Sequence, residues 1–560
     1  MTARGKFVLT LLVLGIAVLG AYKWWEKLKP GAAPTTASTP AADSGSPTAR
    51  SAARGPVIDP ESFVEPLTAC PVLEPPATYL VKDNTLDLEL SEYAGYAGLV
   101  VANGGLEPSE NSYFFRKHGF KIRIKLSEEE SWSALNAGRI AASATTVDVL
   151  AAYCRNFQVT VPAQIGFSRG ADGIVVRKEI RRINDLKGRL LVASQFTEAD
   201  FFIRYLAQEA GLEVNMLANP TARPDPNKVN LVFATDAFVA GDLFLDDVKS
   251  GRNQLAGCVT WAPKTTEVVD ASEGAAHLLT TNKNLLIIAD VLIVNKGFAQ
   301  ANPKIVAGLV DGLLEGNRLV RDQQAAQLDT IGRAFKWNRD EARAELAKVH
   351  LSNLPENLAF YSGSIDSAGS FSGIFSSAIL SYGTLIDQPS DAERFMDAQH
   401  LKALEAAGAF AGQQIALAPI RSGAAGALEG DPLLSKDIRF LFEPNSATLQ
   451  IDHPDNLANL DAIRRLLQVS PGSTILLRGH VDNALIETFR KQGGDPFVRQ
   501  MALKAMELSK NRSNEIRRHL IERLKVDAAR IETIGRGWEE PAGPDPEKNR
   551  RVEVQWFTVE

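Results

Sequence analysis

The chain has 560 residues, of which 45% are hydrophobic and 23% charged, and its formal net charge is −6. This composition is typical of soluble domains, and the length predicts more than one globular unit. The acidic balance argues against a protein that neutralises nucleic-acid phosphates, because such domains carry a basic face. We therefore expect no nucleic-acid partner.

The N-terminus has the pattern of a membrane anchor. Arg4 and Lys6 precede an apolar run over residues 7–22, and Trp24 and Trp25 follow it. Positive charges before the run predict a cytoplasmic start, and tryptophans are typical of the membrane interface. The run is shorter than the ideal span of about 20 residues, so a cleaved signal peptide is the alternative. Poor cleavage residues favour a retained transmembrane helix within residues 1–25, in the inner membrane.

Residues 26–75 are rich in Ala, Pro, Ser and Thr, which predicts a linker without a packed core. Residues 76–410 alternate short apolar runs with helical patterns, which indicates an α/β domain with parallel strands. The clearest strands are predicted at residues 86–90, 120–126, 188–193 and 229–233. A second linker is predicted at 411–430, followed by a small α/β unit at 431–560.

Four stretches characterise the middle domain: residues 91–98, 132–150, 183–197 and 257–263. Together they resemble the nitrate, sulfonate and taurine group of periplasmic solute-binding proteins, over most of residues 79–390. This resemblance implies a two-lobed fold, of the kind that delivers solutes to ABC transporters, with the ligand held between the lobes. In such α/β sheets, ligands lie outside the carboxyl ends of the strands.

Candidate solute-binding residues come from these stretches. Arg169 could pair with an anionic group through two hydrogen bonds, or it could be a solvated surface residue. Ser194 and Thr197 lie at a strand-to-helix step, where their hydroxyls could bind an anion or cap the helix. The sequence thus predicts a small anionic solute, bound by Tyr93, Tyr96, Thr145, Thr146, Arg169, Ser194, Thr197 and Trp261.

Catalysis and metal chemistry find little support in the sequence. The superfamily includes thiamine-pyrimidine synthases, which rely on a cysteine-rich iron motif and a reactive histidine. Here Cys70, Cys154 and Cys258 are far apart, and His118 is isolated. We expect a protein that is not an enzyme and has no cofactor or metal.

The C-terminal unit contains four ordered motifs, at residues 438–447, 474–483, 508–512 and 549–554. They resemble the OmpA-like peptidoglycan-binding domain: its first strand, a strand ending in Gly-x-x-Asp-Asn, the Leu-Ser-x-x-Arg that opens its second helix, and the Asn-Arg-Arg of its last strand. The segment between Asn483 and Leu508 is longer than the compact loop of that family.

The resemblance implies that Asp482 attracts the ammonium and Arg512 the carboxylate of a diaminopimelate-type stem peptide. Asn483, Asn549 and Arg550 are further candidates for contact with peptidoglycan. The alternative is that Asp482 and Arg512 pair only with each other, which contributes little.

Three functional hypotheses follow. The first is a single-pass inner-membrane protein, with its bulk in the periplasm, that captures or senses a solute and attaches to peptidoglycan. The second is a structural envelope tether whose middle domain meets other proteins. The third, a flagellar-stator-type subunit, needs an ionisable residue in the span, and residues 7–22 contain no acid.

Overall fold

The computed structural model describes residues 62–127, 131–364, 369–417, 431–444 and 446–558. The predicted anchor at 1–25, most of the first linker and residues 418–430 lie outside the described residues. Within the described ranges, no helix is long and apolar enough to cross a membrane.

The described residues of the middle domain form thirteen strands. In chain order they are β1 (Phe63–Val64), β2 (Thr85–Leu90), β3 (Lys121–Leu126), β4 (Ala142–Thr146), β5 (Val159–Ser168), β6 (Asp172–Arg177), β7 (Leu190–Ser194), β8 (Val214–Met216), β9 (Val229–Ala234), β10 (Gly257–Trp261), β11 (Ala276–Thr281), β12 (Ala289–Asn295) and β13 (Val349–Leu351).

Helices cover these strands. They are α1 (Ala97–Asn103), α2 (Tyr113–His118), α3 (Trp132–Asn136), α4 (Val147–Tyr153), α5 (Glu198–Glu209), α6 (Ala237–Lys249), α7 (Lys264–Ala271), α8 (Lys296–Ala301), α9 (Pro303–Asp322), α10 (Gln324–Phe335), α11 (Arg339–Leu346), α12 (Leu354–Ser362), α13 (Phe371–Tyr382) and α14 (Gln399–Ala406). Short 3-10 helices lie at Ala94–Tyr96, Cys154–Asn156, Ile183–Leu186, Gly383–Leu385 and Ala392–Arg394.

The first lobe is built on a six-stranded sheet with the order β13-β5-β12-β4-β2-β3. Strands β2, β3 and β4 are parallel, whereas β12 runs antiparallel to both β4 and β5. Every residue of β12 is buried, as expected for a central strand covered on both faces. The predicted strands at 86–90 and 120–126 are confirmed as β2 and β3.

The second lobe is built on a sheet with the order β1-β9-β7-β10-β6-β11, and β8 pairs with β9. Strands β7, β9 and β10 are parallel, and β6 is antiparallel to β10 and β11. The predicted strands at 188–193 and 229–233 are confirmed as β7 and β9. Both sheets are mixed, so the expectation of parallel strands holds only for part of each sheet.

Two chain crossings connect the lobes. Residues 169–171 lead from β5 in the first lobe to β6 in the second, and residues 282–288 lead back from β11 to β12. This arrangement matches the predicted two-lobed α/β fold. Strand β1 falls within the segment predicted as the first linker, yet it pairs antiparallel with β9, so this part of the segment belongs to the second lobe.

Helix placement follows from local sequence. Asn295 accepts a hydrogen bond from the Phe298 amide at the start of α8, and Asp236 caps α6 in the same way. Helices α1 and α9 approach closely because Gly316 lies directly against the Gly98 backbone, where no side chain would fit.

The C-terminal domain has a four-stranded sheet with the order β14-β17-β15-β16. Its elements are β14 (Leu434–Ile438), α15 (Pro454–Val469), β15 (Thr474–His480), α16 (Ile486–Glu522), a 3-10 helix (Ala528–Arg530), β16 (Ile531–Gly537), α17 (Pro546–Asn549) and β17 (Val552–Phe557). Strand β15 is parallel to β16 and antiparallel to β17.

Helix α16 differs from the predicted layout. It is two helical segments joined at a kink, where Gly493 and Gly494 leave the helical conformation and Gly494 has a φ of 67°. The segment expected as a long loop before Leu508 is therefore largely helical, and Leu508 to Arg512 lie inside a helix rather than at its start. Glycine tolerates positive φ, so the Gly-Gly pair bends the helix without ending it.

The C-terminal domain packs against the second lobe. The Ile183 amide donates to the Leu433 carbonyl (2.9 Å), and Asn184 and Ser435 exchange hydrogen bonds through side chain and backbone. The Leu286 amide, in the second crossing, donates to the Val469 carbonyl at the end of α15 (2.7 Å). One continuous hydrophobic core therefore includes residues of both domains.

Candidate functional site

A buried cavity lies between the two lobes. It offers about 60 Å³ to the centre of a water-sized sphere, which is room for a few waters or a small solute. Its walls are aromatic, hydroxyl-bearing and acidic: Glu89, Leu90, Ser91, Tyr93, Tyr96, Ser127, Ser131, Trp132, Ser143, Ala144, Thr145, Thr146, Asp172, Glu198, Trp261, Ile288 and Asp290.

Strand pairing places the key side chains. In the second lobe, Asp172 at the start of β6 lies opposite Trp261 at the end of β10. In the first lobe, Asp290 near the start of β12 lies opposite Thr146 at the end of β4. Antiparallel neighbours bring a strand start beside a strand end. Asp172 of the second lobe and Asp290 of the first lobe thus lie at strand ends that face the cavity, where Glu89 of the first lobe is a further buried carboxyl.

The buried carboxyls are held by neutral donors. Tyr93 and Tyr96 donate from their hydroxyls to the two oxygens of Asp290 (3.3 and 3.4 Å), and their rings meet edge to face, 5.1 Å apart. Asn282 donates to Asp172 (3.2 Å). Gly95 permits the position of Tyr93, because a side chain there would collide with the Tyr93 ring.

Burial strongly perturbs these acids. It raises the pKa of Asp172 to about 6, and burial together with the neighbouring Asp172 raises the pKa of Asp290 well above its usual range. Burial also raises the pKa of Asp148, just behind the cavity wall, to about 7. Desolvation disfavours the charged form of a carboxyl, and a second carboxyl nearby adds to this effect.

The structure brings five of the eight predicted solute-site residues to the cavity wall: Tyr93, Tyr96, Thr145, Thr146 and Trp261. Arg169 lies in the first crossing, where its Nε donates to the Lys283 carbonyl (3.4 Å), and it does not line the cavity. Ser194 and Thr197 are buried at the predicted strand-to-helix step, but neither lines the cavity. The Thr197 hydroxyl donates to the Ser194 carbonyl (2.9 Å) and does not cap α5.

Among the residues that the structure describes, the cavity wall offers no basic side chain to the expected anionic solute, whose binding stays a prediction. Within the described residues, its lining includes four carboxyl groups and no lysine, arginine or histidine. Glu89 pairs with Lys125 (2.9 Å), but an anion would also face Asp172 and Asp290, which have no cationic partner among the described residues, and this is costly in a medium of low dielectric constant. The expectation depended on the hydroxyls at helix starts and on Arg169, whose position along the chain does not reveal on which side of the crossing its side chain lies.

The sequence carried signals for the acids that were missed. Asp290 is a lone carboxyl within the apolar run from Leu285 to Val294, and Asp172 follows Arg169 in a glycine-containing turn. A carboxyl inside an otherwise apolar strand needs a partner or a function. Glu89, Glu198 and Trp132 also line the cavity and were not predicted.

A second pocket lies in the C-terminal domain and is much larger, with about 560 Å³ open to the centre of a water-sized sphere. Asp482, Arg512 and Arg550 line it, as predicted. The other residues of the wall are Arg439, Phe440, Leu441, Phe442, Glu443, Pro444, Gly479, His480, Val481, Ala484, Leu485, Leu508, Arg551 and Val552.

Asp482 and Arg512 do not pair with each other in the way that the alternative interpretation requires. Asp482 accepts a hydrogen bond from Arg550 Nε (2.8 Å) and another from the Ala484 amide (3.1 Å). Burial raises the pKa of Asp482, but the hydrogen bonds from Arg550 and from the Ala484 amide, together with the charge of Arg550, outweigh burial, so the pKa lies below its usual range. Asp482 is therefore an anion at neutral pH.

Arg512 is held by different contacts. Its Nε donates to the Ser446 carbonyl (3.0 Å), and its guanidinium lies over the Phe442 ring, 4.8 Å from the centroid. Partial burial lowers its pKa, but an arginine stays charged in proteins. The pocket thus presents two carboxyl groups, Asp482 and Glu443, and several guanidinium groups.

Asn549 and Asn483 have another role. Asn549 is buried and receives hydrogen bonds from the Ala542 and Gly543 amides, while its side-chain amide donates to the Gly543 carbonyl (3.0 Å). It also donates to Asn483 Oδ1 (3.5 Å). Neither asparagine lines the pocket, so the structure places both behind the wall, where Asn549 orders the loop before α17.

Among described residues, His480, Glu540 and Glu553 form a group of potential metal ligands. Arg478 already pairs with both glutamates, at 2.6 Å from Glu540 and 2.8 Å from Glu553. The group is therefore accounted for as an ion-pair network within the sheet.

The middle domain has a two-lobed α/β fold with a cavity between its lobes, and the domain that follows it contains residues 441–555, which match the OmpA family. This match confirms the resemblance of the C-terminal part of the chain to the OmpA-like domain. A comparison with curated protein sequences finds no match.

Solved structures with a similar fold include three binding proteins. The alkanesulfonate-binding protein SsuA of Xanthomonas axonopodis pv. citri, bound to MOPS, has 14% identity and a TM-score of 0.42, over 57% of this chain and 100% of that chain. The aliphatic sulphonate-binding protein SsuA of Escherichia coli has 14% identity and a TM-score of 0.41, over 62% and 99%. The nitrate-binding protein NrtA of Synechocystis PCC 6803 has 12% identity and a TM-score of 0.40, over 60% and 90%.

Proposed function

We propose that this is a cell-envelope protein that binds a small solute between its two lobes and attaches to peptidoglycan through its C-terminal domain. The observation that carries the proposal is the presence of two separate, chemically distinct pockets, one in each domain. The inter-lobe cavity is small and lined mostly by buried side chains, and the C-terminal pocket is larger and lined by charged side chains, some of them partly exposed. His480 in the wall of the C-terminal pocket belongs to a group of potential metal ligands, but Arg478 pairs with both glutamates of that group.

The peptidoglycan proposal rests on the OmpA-family match and on the charges of the C-terminal pocket. Asp482 can accept hydrogen bonds from the ammonium of a stem peptide. Arg512 can donate two parallel hydrogen bonds to its carboxylate. Arg550 fixes the Asp482 side chain, so it is a positioning residue in this scheme.

The membrane part of the proposal comes from the sequence. The apolar run at residues 7–22, with its flanking charges and tryptophans, would hold the chain in the inner membrane. The domains would be the anchor at 1–25, a linker, the solute-binding domain up to about residue 410, a second linker at 411–430 and the OmpA domain from 431. Solute capture for an ABC transporter, or sensing within an envelope complex, is the role that such a layout suits.

Co-sedimentation of the full chain with purified peptidoglycan tests the attachment. We expect Asp482→Ala and Arg512→Ala each to weaken binding roughly ten- to a hundred-fold, because a lost charged hydrogen bond costs about 1.5–3 kcal/mol. Arg518→Ala is the matched control, since Arg518 lies on the same helix, pairs with Glu515 and Glu522, and does not line the pocket. Wild-type sedimentation of both folded pocket variants would contradict the assignment.

The rival function is a structural tether whose lobes bind no solute. Mass spectrometry of small molecules released on denaturation of the purified full chain separates the two. A stoichiometric small molecule supports solute binding. Absence of any released molecule, together with no thermal shift across cations, anions and sugars, supports the tether.

A further inference from the structure

The inter-lobe cavity has an unusual balance of charge. Asp172 and Asp290 are each at least 96% buried, with 4% and 3% of their surface exposed. Only neutral groups donate hydrogen bonds to them, and no cation contributes to their electrostatic environment among the described residues. Buried carboxylates are normally paired with a positive charge. The missing counter-charge is a feature that a bound cation would supply.

A simple metal ion fits this cavity poorly. The acids of the wall do not form a group of three or more with ligand atoms within 4.8 Å of one another, in the portion of the chain described. Hard cations such as Ca²⁺ need six to eight converging oxygens. The carboxyls are spread around the wall instead, which suits a larger cation whose charge is distributed over an organic group.

Aromatic rings line the same cavity. Tyr93, Tyr96, Trp132 and Trp261 all belong to its wall. The faces of tyrosine and tryptophan attract ammonium groups through their ring quadrupole, and aromatic cages are the usual recognition device for quaternary ammonium ions. The combination of aromatic faces with carboxyls therefore indicates an organic ammonium group.

Trp261 adds an independent requirement. It is 8% exposed, and its indole N–H has no hydrogen-bond acceptor among the described residues. A buried N–H without a partner costs free energy, so an acceptor on the ligand would stabilise the complex. The acids of the wall would repel a carboxylate on the ligand, whereas they would not repel a neutral hydroxyl oxygen.

We propose that the cavity binds a small organic ammonium ion that carries a neutral hydrogen-bond acceptor, such as an amino alcohol of the size of choline or ethanolamine. Asp172 and Asp290 supply the counter-charge, the aromatic rings enclose the ammonium, and Trp261 donates to the hydroxyl. The inference rests on the proposed solute-binding function and names its ligand class.

Isothermal calorimetry on the full chain tests the class directly, with choline, ethanolamine, tetramethylammonium, glycine betaine, taurine, nitrate and glucose as probes. We expect choline or ethanolamine to bind at least about tenfold more tightly than tetramethylammonium or glycine betaine. Tetramethylammonium lacks the hydrogen-bond acceptor, and glycine betaine carries a carboxylate that the acids of the wall repel. Taurine, nitrate and glucose should not bind.

Two isosteric variants localise the site. Asp290→Asn and Asp172→Asn should each weaken binding of the amino alcohol at least about tenfold, because the counter-charge is reduced while side-chain volume is kept. The matched controls are Asp242→Asn, an exposed acid of the second lobe, and Arg169→Gln, which removes the cation expected from the sequence. Both controls should bind as wild type does.

Proton release gives a second readout. The titratable groups around Asp172 and Asp290 are Tyr93, Tyr96 and Asp148, with Glu89 and Glu198 on the wall. A bound cation favours their ionised forms, so near pH 6 the binding heat of choline should change with the ionisation enthalpy of the buffer. Equal heats in all buffers would contradict cation binding at these acids.

The outcomes separate this inference from the proposed function. Binding of taurine, nitrate or glucose without binding of the amino alcohols overturns the ligand class and leaves solute binding intact. If no probe binds and no molecule co-purifies, both the ligand class and the solute-binding function are contradicted. Amino-alcohol binding that survives both aspartate substitutions overturns the assignment of the site.

Discussion

The two pockets of this protein place carboxyl groups in opposite environments. Asp290 in the inter-lobe cavity is fully enclosed, bonded by two tyrosines and has a pKa raised by burial. Asp482 in the OmpA domain is partly exposed and accepts a hydrogen bond from Arg550, and its pKa is lowered because the arginine and the backbone hydrogen bonds together outweigh burial. In the inter-lobe cavity, the carboxyl group therefore has no cationic partner in the protein and can bind one from a ligand. In the C-terminal pocket, the carboxylate of Asp482 is already paired with Arg550. The surroundings of a carboxylate decide what it can recognise.

The largest effect that sharpens this comparison is expected at Asp148. Burial raises its pKa to about 7, so the folded state holds the proton more tightly than the unfolded state. Stability from this group is therefore present at low pH and is lost as pH rises from about 4 through about 7. Asp148→Asn should stabilise the protein at pH 8 by up to about 4 kcal/mol and much less at pH 5.

Urea unfolding at the two pH values measures this difference. The control is Asp242→Asn, which removes an exposed carboxyl and should change stability little at either pH. Equal stabilisation by Asp148→Asn at pH 5 and pH 8 would show that Asp148 is not held neutral by burial.

The next effect concerns the support of the open pocket. Asn549→Ala leaves the Ala542 and Gly543 amides without their acceptor, so the OmpA domain should lose about 1–3 kcal/mol of stability. Differential scanning calorimetry of the full chain measures the loss. Asn459→Ala serves as control, since that side chain donates only one exposed hydrogen bond to Arg439. A variant with unchanged unfolding would mean that Asn549 acts at the ligand rather than behind the wall.

The smallest expected effect is a difference between the two pockets in how strongly salt weakens ligand binding. Raising NaCl from about 0.1 M to about 1 M shortens the screening length from about 10 Å to about 3 Å and acts mainly on exposed charges. Peptidoglycan binding at the open pocket should weaken several-fold, whereas binding of choline in the closed cavity should change by less than about twofold. Sedimentation and calorimetry over a salt series give both values. If salt weakened choline binding more than peptidoglycan binding, the contrast between an exposed and an enclosed site would be wrong.

Sequence patterns predicted the fold better than the details of the cavity. Strands β2, β3, β7 and β9 were predictable because apolar residues alternate or run continuously over lengths typical of strands. Tyr93, Tyr96 and Trp261 were predictable as residues of the cavity wall, because the tyrosines follow a strand and Trp261 ends one.

The acids were harder to predict for a physical reason. Asp172 and Asp290 meet only because two chain crossings bring the edges of two different sheets together. Local spacing carries no information about such pairing. Arg169 was a candidate for anion binding because a guanidinium can donate two hydrogen bonds to an anionic group. The direction of its side chain, however, depends on packing in the crossing between the lobes. Likewise, Gly493 and Gly494 resembled a loop, although the flanking residues continue as helix.

The packing of the OmpA domain on the second lobe decides which half of the protein is stationary. Leu433, Ser435 and Val469 bond to the second lobe and to the crossing at Leu286. A molecule gripped by the cell wall through this domain therefore has its second lobe fixed in the frame of the wall. Any opening of the cleft then appears as a swing of the first lobe, with Asp290 and the two tyrosines travelling away from a stationary Asp172.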